Sequence, residues 1–245
     1  MRKRRALGGL LMARRAFEIG IVGVSLICLL PLWLLIGLAI KLDDGGPIFY
    51  SQWRVGQNFR LFRLLKFRTM ICGADRLAPL TAAKDARITR AGKFLRRYKL
   101  DELPQLVNVL KGDMQLVGSR PELLRYVEIF RDQYAQILRH RPGITDPATL
   151  AYHHEEEMFD AEAVEERYIA DVLPRKLEMS LLHSQERSFV SDAGILIRTI
   201  FSLAPRSLRP DPPARERQIP NLSRSLPTPV LTRNSELSRE HETRV

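Results

Sequence analysis

The feature that most constrains this chain is an uncharged run of 22 residues from Ile19 to Ile40. At a helical rise of about 1.5 Å per residue, this run is long enough to cross a hydrocarbon core of about 30 Å. A cleaved signal peptide is not expected, because the apolar run is too long and Lys41–Asp44 offers no small-residue cleavage site. The sequence therefore predicts a membrane helix over residues 16–41.

Both flanks of this helix are basic, which leaves its topology open. Six Lys or Arg side chains precede the run, at positions 2–5, 14 and 15, and another basic segment follows it. Positive residues near a membrane segment tend to stay in the cytoplasm, so a straight crossing would send one basic flank outward. A re-entrant hairpin would keep both flanks inside. Pro31 offers a break point for such a hairpin, since proline removes one helix hydrogen bond. From the residues alone, a kinked spanning helix is an equal alternative.

The basic segment after the membrane helix points to an anionic ligand. Residues 47–99 carry 13 Lys or Arg side chains against Asp75 and Asp85, so their net charge of +11 equals that of the whole chain. Such a field suits nucleic acid, anionic lipid headgroups or a diphosphate substrate.

The two cysteines, Cys28 and Cys72, have neither metal-ligand spacing nor a disulfide framework, which is typical of a reducing compartment.

The remaining pattern predicts a helix-rich α+β domain. Residues 48–54 and 59–68 are expected to form two strands of a β-hairpin around Gly56-Gln57-Asn58. A short basic helix is predicted over residues 92–99, and an apolar helix over 189–203 that lies in the core or on the membrane surface. The predicted segments are a basic N-terminus (1–15), the membrane helix (16–41), a folded domain (42–204) and a disordered tail (205–245).

Two adjacent carboxylates, Asp101 and Glu102, stand where the basic segment ends and a helix with Pro104 in its first turn begins. Because neighbouring residues do not share a helix face, we expect different tasks, such as one nucleophile and one metal ligand or base. The simpler alternative is favourable charge at the positive end of the helix dipole. Within a positive field both would stay ionised and could hold Mg²⁺ against phosphate oxygens.

Several basic residues are candidates for phosphate binding. Lys66 and Arg68 alternate along one strand and predict a two-pronged grip from one strand face. Arg120 precedes a proline on a rigid turn, a setting that suits bidentate phosphate binding. The turn at Arg141–Gly143 is a further candidate, because its backbone N–H groups could face an anion. The simpler alternative for each is a solvated or ion-paired surface residue.

His153 and His154 lack the spacing of two helical metal ligands and are interpreted as part of a solvated helix.

Seven motifs, taken together and in this order, resemble the bacterial sugar transferases, the monotopic phosphoglycosyl transferases, over residues 17–203. They are Asp44–Phe49, Arg54–Gly56, Lys66–Met70, Leu100–Gln105, Asn108–Met114, Gly118–Pro121 and Arg141–Thr145. The resemblance implies transfer of a sugar 1-phosphate from a UDP-sugar to undecaprenyl phosphate with release of UMP. That reaction is the first membrane step of exopolysaccharide or glycoconjugate synthesis.

The resemblance also implies roles for individual residues. Asp101 would be the nucleophile that forms a covalent phosphosugar intermediate, and Glu102 would assist through the metal or by proton handling. The two carboxylates would hold Mg²⁺, and a set of basic residues would contact phosphates or substrate. That set is Lys66, Arg68, Arg96, Arg120 and Arg141.

The implied architecture favours the hairpin over the spanning helix. It is a monotopic protein with a re-entrant helix broken near Pro31, a short β-hairpin and a catalytic domain with surface helices. This domain would lie on the cytoplasmic face of the bacterial inner membrane, with anionic lipid as a further partner. Nucleic acid is not an expected partner, and an oligomer is compatible with the sequence.

The chain departs from the family pattern at three places. Leu30-Pro31 replaces a common Ser-Pro at the membrane break, and Ser119 replaces a common proline before Arg120. After Thr145, where Gly-Trp-Ala is common, this chain has Asp146-Pro147-Ala148.

Two other functions fit part of the pattern. A membrane-tethered nucleic-acid binder would explain the charge, but the sequence offers no recognisable reading helix. A scaffold without catalysis would explain the fold, but the intact Asp101-Glu102 pair beside intact basic motifs argues against it.

Overall fold

The computed structural model describes residues 2–74, 85–152 and 164–202. The predicted tail (205–245) and the two histidines at 153 and 154 lie outside the described residues. The helices are α1 (Arg2–Asp44), α2 (Arg90–Arg97), α3 (Gln105–Lys111), α4 (Leu124–Ile129), α5 (Arg131–Ile137), α6 (Pro147–Ala151), α7 (Val164–Arg167), α8 (Leu173–Gln185) and α9 (Phe189–Ser202). The strands are β1 (Phe49–Val55), β2 (Leu61–Phe67), β3 (Gln115–Val117) and β4 (Gly143–Thr145). This helix-rich fold with short strands confirms the predicted class.

Helix α1 runs without interruption from Arg2 to Asp44, and its stretch Met12–Asp44 is long and apolar enough to cross a membrane. Pro31 lies inside the helix. The secondary structure is therefore continuous at the proline where a break was predicted. Proline removes only its own N–H from the helix ladder, and the leucine-rich turns on both sides have high helix propensity. The helix also continues across residue 15, where the sequence predicted the end of the basic N-terminus and the start of the membrane helix.

Both halves of α1 pack against the same folded domain. Before Pro31, Val22 belongs to a buried cluster with Phe62, Leu64, Val109 and Met114. After Pro31, Ile36 and Ile40 join a second cluster with Phe67 and Leu95. Large apolar side chains on the outer surface of the same helix are exposed, namely Val24, Ile27, Leu30, Leu34, Leu35 and Leu38.

Strands β1 and β2 form the predicted hairpin. They pair antiparallel, with Phe49 opposite Phe67 and Val55 opposite Leu61. The turn between them is a short 3₁₀ segment in which Asn58 has a φ of 53°. Asparagine tolerates this left-handed conformation better than most residues, and the Asn58 N–H donates to the Leu138 carbonyl at 2.8 Å.

The turn predicted at Arg141–Gly143 leads directly into a strand. Strand β4 pairs parallel with β3, with Gln115 opposite Gly143. The Gly143 N–H donates to the Ser119 carbonyl at 2.9 Å and is not available to an anion. A Cβ atom at Gly143 would lie 2.1 Å from the Gly118 nitrogen, so the close approach of these two segments requires glycine.

The main core lies between β1, α4, α5 and α8. Its largest members include Tyr126, Phe130, Tyr134, Tyr168 and Leu173, all nearly inaccessible to solvent. The rings of Tyr126 and Tyr168 lie 5.2 Å apart at their centroids. This core holds the segment after β3 against the hairpin, because the Val55 N–H donates to the Glu122 carbonyl at 3.0 Å.

Candidate active site

Asp101 and Glu102 lie in a short 3₁₀ turn, Leu100–Glu102, between α2 and α3. Lys99, just before this turn, adopts a left-handed backbone with a φ of 53° and redirects the chain. Pro104 caps α3 on the other side, as predicted for the first turn of that helix. The two carboxylates therefore stand on a rigid corner packed against β2.

Glu102 is fully ion-paired with two of the predicted phosphate ligands. Lys66 Nζ lies 3.1 Å from Glu102 Oε1, and Arg120 binds both carboxylate oxygens, at 3.0 Å to Oε2 and 2.5 Å to Oε1. Burial alone would raise the pKa of Glu102, but the Arg120 guanidinium and the Lys66 ammonium outweigh it and hold that pKa well below its usual value. Glu102 is therefore an anion that fixes two cations at the site.

Asp101 has the opposite environment from its neighbour. Only 6% of the residue is exposed, and its Oδ1 accepts no hydrogen bond. Burial raises the pKa of Asp101, Lys66 opposes the rise, and the charge of Glu102 adds to it. Leaving a buried acceptor unsatisfied costs about 1–3 kcal/mol. Two adjacent carboxyl groups whose pKa values are pushed apart by their surroundings are suited to different chemical tasks.

A cavity of about 520 Å³ opens beside the carboxylate pair. Lys66, Arg96, Arg120 and both carboxylates line it, so the structure brings these predicted residues together. The cavity also has an apolar region near the end of α1, lined by Pro47, Phe49, Phe67, Met70 and Ile71. A more polar region reaches α6, α8 and α9, lined by Thr145, Thr149, Tyr152, Lys176 and Thr199.

Arg68 lines the same cavity as Lys66 but has different partners. It lies just beyond the end of β2, and its guanidinium is bound by both oxygens of Asp44, at the end of α1. Arg68 Nε also donates to the Pro47 carbonyl at 2.6 Å. Arg68 lines the cavity, but its hydrogen-bonding capacity is directed at the junction between α1 and the hairpin.

The other two predicted arginines differ in position. Arg96 lines the cavity and donates from Nε to Thr69 Oγ1 at 2.9 Å. Arg141 is not among the residues that line this cavity, and its carbonyl accepts a hydrogen bond from Gln115 Nε2 at 2.6 Å. The geometry gives no support to a direct role for Arg141 at the carboxylate pair.

Sequence reasoning missed a buried charged group next to Arg120. Glu122 accepts hydrogen bonds from the Tyr168 hydroxyl at 2.7 Å and from Arg54 Nη1 at 3.2 Å. Burial would raise the pKa of Glu122, but the charges of Lys176 and Arg54 hold it below the usual value. In the sequence, this group is indicated by the position of Glu122, an acidic residue two residues after Arg120.

The residues at the carboxylate pair fit a magnesium ion that binds together with a phosphorylated substrate. Mg²⁺ commonly takes one or two protein carboxylates and completes its shell with phosphate oxygens and water. Asp101 lines the cavity and its Oδ1 accepts no hydrogen bond, whereas the Glu102 oxygens already accept from Lys66 and Arg120. Within the described ranges no cluster of three or more His, Cys, Asp or Glu residues is present.

Large apolar side chains are exposed on three helices of this protein. Besides those of α1, they are Phe94 of α2, which is 58% exposed, and Phe189, Val190, Ile197 and Ile200 of α9. Basic side chains flank Phe94 on the same short helix, including Lys93 and Arg97. Exposed apolar side chains in this number, with basic residues beside them, indicate membrane association.

Comparisons with known proteins agree with this site. The sequence profile of the bacterial sugar transferases matches residues 10–206. The exopolysaccharide production protein ExoY of Sinorhizobium fredii is 39% identical over 157 residues, which cover 58% of this chain and 69% of that protein. An undecaprenyl-phosphate glucose phosphotransferase of Komagataeibacter xylinus is 41% identical over 148 residues, 57% of this chain and 28% of that protein.

A third relative covers more of this chain. The UDP-glucose:undecaprenyl-phosphate glucose-1-phosphate transferase of Escherichia coli is 32% identical over 193 residues, 77% of this chain and 39% of that protein. The chain thus spans less than half of the length of the two glucose-phosphate transferases. Because the family profile covers most of the sequence, including both carboxylates and the basic residues around them, the chain belongs to the bacterial sugar transferase family.

Proposed function

We propose that this protein transfers a sugar 1-phosphate from a UDP-sugar to undecaprenyl phosphate, releases UMP, and so initiates exopolysaccharide or glycoconjugate synthesis. The observation that carries the proposal is the buried carboxyl group of Asp101. This residue lines the cavity, its Oδ1 has no hydrogen-bond partner, and the neighbouring carboxylate is neutralised by Lys66 and Arg120. The printed names of the relatives from Komagataeibacter xylinus and Escherichia coli support the lipid acceptor.

The first step is attack by Asp101 on the phosphorus that bears the sugar. A bond forms from a carboxylate oxygen of Asp101 to this phosphorus while the bond to the bridging oxygen breaks, and UMP leaves with that oxygen. In the second step an oxygen of the lipid phosphate attacks the same phosphorus, and the Asp101 carboxylate is expelled. A carboxylate nucleophile divides the transfer into two easier displacements.

The charged residues around Asp101 stabilise both displacements. Lys66 and Arg120 are held at fixed positions by Glu102, so they can meet the negative charge of the phosphates without reorganising. Burial lowers the pKa of Lys66, and the charge of Glu102 counteracts this shift. A Mg²⁺ ion held at the two carboxylates, with Asp101 as the ligand not yet paired to a cation, would neutralise further charge on the phosphate oxygens.

We propose a monotopic arrangement on the cytoplasmic face of the inner membrane, in which α1 stays helical but bends at Pro31, so that it enters and leaves on the same side. Two contacts before Pro31 support it, because Arg14 pairs with Asp192 and Arg15 donates to the Val109 carbonyl. After Pro31, Asp43 Oδ2 accepts from the Ala91 N–H at 2.9 Å. A helix whose two ends contact one domain cannot place those ends on opposite sides of a bilayer while the contacts persist.

This topology predicts that positions 5 and 60 lie on the same side of the membrane. Cys28 and Cys72 are exposed and are first replaced by serine. Arg5→Cys and Arg60→Cys are then introduced separately, and intact spheroplasts are treated with a membrane-impermeant maleimide. We expect neither cysteine to be labelled before lysis and both to be labelled after it. Labelling of one position from outside would contradict the re-entrant arrangement.

The activity itself is tested by UMP release. The purified protein in detergent is mixed with Mg²⁺, a short polyprenyl phosphate and each of a set of UDP-sugars. We expect one UDP-sugar to give a burst of UMP close to the enzyme concentration without acceptor, and sustained release with it. A protein that releases no UMP from any UDP-sugar would support the scaffold alternative instead.

A further inference from the structure

Helix α2 has an exposed face to which the mechanism above assigns no task. Its exposed residues recur three and four positions apart, which is the spacing of one helix face, and the residue just after the helix continues that face. They are Arg90, Lys93, Phe94, Arg97 and Tyr98. The surface formed by these five residues, which we name the α2 outer face, therefore carries three cations, two aromatic rings and no acidic side chain.

The charges of the α2 outer face are not neutralised within the described part of the chain. Among the residues that the structure describes, no ion pair includes Arg90, Lys93 or Arg97. Like charges three and four residues apart on a helix repel one another. The rings of Phe94 and Tyr98 lie 4.9 Å apart at their centroids, yet Phe94 is 58% exposed and Tyr98 is 39% exposed. A partner that is both anionic and partly apolar would remove the repulsion and cover the rings.

The opposite face of α2 is fixed against the domain, so the outer face cannot turn inward. A Cβ atom at Gly92 would lie 2.1 Å from the Thr69 carbonyl oxygen, so this contact requires glycine. The Thr89 hydroxyl caps the helix by accepting from the Gly92 N–H at 3.0 Å. Leu95, on the same side as Gly92, is buried.

The packing of α2 against α1 sets its depth in the proposed membrane arrangement. Leu95 belongs to one buried cluster with Ile36 and Ile40, which lie near the end of the uncharged run of α1. The Ala91 N–H donates to Asp43 Oδ2 at 2.9 Å, just after that run has ended. Helix α2 therefore lies beside the point at which α1 leaves the hydrocarbon core, at the level of the lipid headgroups.

The lipid surface at this level has the chemistry that the α2 outer face lacks. Lys and Arg side chains near a membrane are attracted to anionic headgroups, and aromatic rings favour the boundary between headgroups and acyl chains. We propose that the α2 outer face binds anionic phospholipids of the inner leaflet, with its three cations on the phosphates and its two rings between them. The inference rests on the proposed membrane arrangement.

The proposed partner is the bulk lipid of the leaflet and not the lipid phosphate that accepts the sugar. None of the five residues of the α2 outer face lines the cavity beside Asp101. The next residue on the buried side of the same helix, Arg96, does line it. Helix α2 thus separates a surface that faces the leaflet from a side chain that faces the site.

The test places a fluorophore on the α2 outer face of the full-length protein. Cys28 and Cys72 are replaced by serine, and Phe94→Cys is labelled with a nitrobenzoxadiazole dye. The protein is reconstituted in vesicles of phosphatidylcholine that contain a doxyl-labelled lipid as quencher and increasing fractions of phosphatidylglycerol. We expect quenching to rise with the fraction of phosphatidylglycerol. The same dye at Asp132→Cys, on the exposed surface of α5, is the control and should stay unquenched at every composition.

Two double variants assign the effect to the charges of α2. In the dye-labelled protein, Lys93→Gln with Arg97→Gln should raise the phosphatidylglycerol fraction needed for half of the quenching at least about fivefold. Arg139→Gln with Arg175→Gln removes the same charge from exposed positions beside the main core and should keep the unsubstituted response. An equal shift in both double variants would mean that only the net charge of the protein matters, and would overturn the proposal.

Added salt gives a second measurement that needs no further substitution. The Debye length falls from about 10 Å at 0.1 M salt to about 3 Å at 1 M. Quenching at a fixed fraction of phosphatidylglycerol should therefore decline as salt is added. Quenching that is absent, insensitive to salt or equal with and without phosphatidylglycerol would contradict anionic lipid as the partner.

UMP release in the same vesicles keeps this inference apart from the proposed function. Release without quenching that depends on phosphatidylglycerol would contradict the lipid-binding role of α2 and leave the transferase function intact. Quenching that depends on phosphatidylglycerol, without release from any UDP-sugar, would support the lipid-binding role and contradict the transferase function.

Discussion

Replacing Asp101 with asparagine is expected to reduce sugar-phosphate transfer by at least about 10³-fold. The amide has nearly the same shape as the carboxylate, but its oxygen is not a competent nucleophile toward phosphorus. The measurement is the initial rate of UMP release with saturating UDP-sugar and polyprenyl phosphate. Asp132→Asn, on the exposed surface of α5, is the matched control and should keep the wild-type rate.

The same variant tests the covalent step. Wild-type protein incubated with the UDP-sugar and no acceptor should gain the mass of one sugar phosphate, and Asp101→Asn should gain none. Because Asp101 is buried and its Oδ1 has no hydrogen-bond partner, we expect the variant to melt at or above the wild-type temperature. Full turnover by correctly folded Asp101→Asn would exclude this residue as the nucleophile.

Removal of divalent cations is expected to lower the transfer rate by at least about 10²-fold. Lys66 and Arg120 are already paired with Glu102, so the charge that they can offer to a diphosphate is partly used. The measurement is UMP release in excess EDTA, followed by restoration with Mg²⁺. EDTA saturated beforehand with Mg²⁺ is the control and should leave the rate unchanged. Undiminished turnover in EDTA would mean that Lys66 and Arg120 stabilise the charge of the diphosphate without a metal ion.

Local sequence patterns predicted the elements that depend on nearby residues. The hairpin follows from the turn around Gly56 and the apolar, aromatic strands beside it, and the structure pairs these two strands antiparallel. The basic helix near residue 92 is present as α2. Different tasks for Asp101 and Glu102 were expected from their adjacency, and their surroundings differ as described above.

Features that depend on distant partners were not accessible from these patterns. The alternation of Lys66 and Arg68 suggested one shared task, but Asp44 captures Arg68 across the junction with α1. Nothing in the spacing of Thr145 and Thr199 shows that a helix about fifty residues downstream lines the same cavity. Arg141 stood in a recognisable motif, yet it lies just before β4 and outside the cavity lining, and its carbonyl accepts from the Gln115 side chain.

The ion pair between Asp44 and Arg68 links the position of α1 to that of the candidate active site. This ion pair and the Asp43 contact with α2 join the end of α1 to the segment that follows the Lys66 strand. In the proposed membrane arrangement, a vertical shift of α1 in the bilayer would therefore change the height of Asp101 above the leaflet. Lipid thickness would then affect how well a membrane-bound phosphate reaches the proposed nucleophile, without any change in the side chains that perform the chemistry.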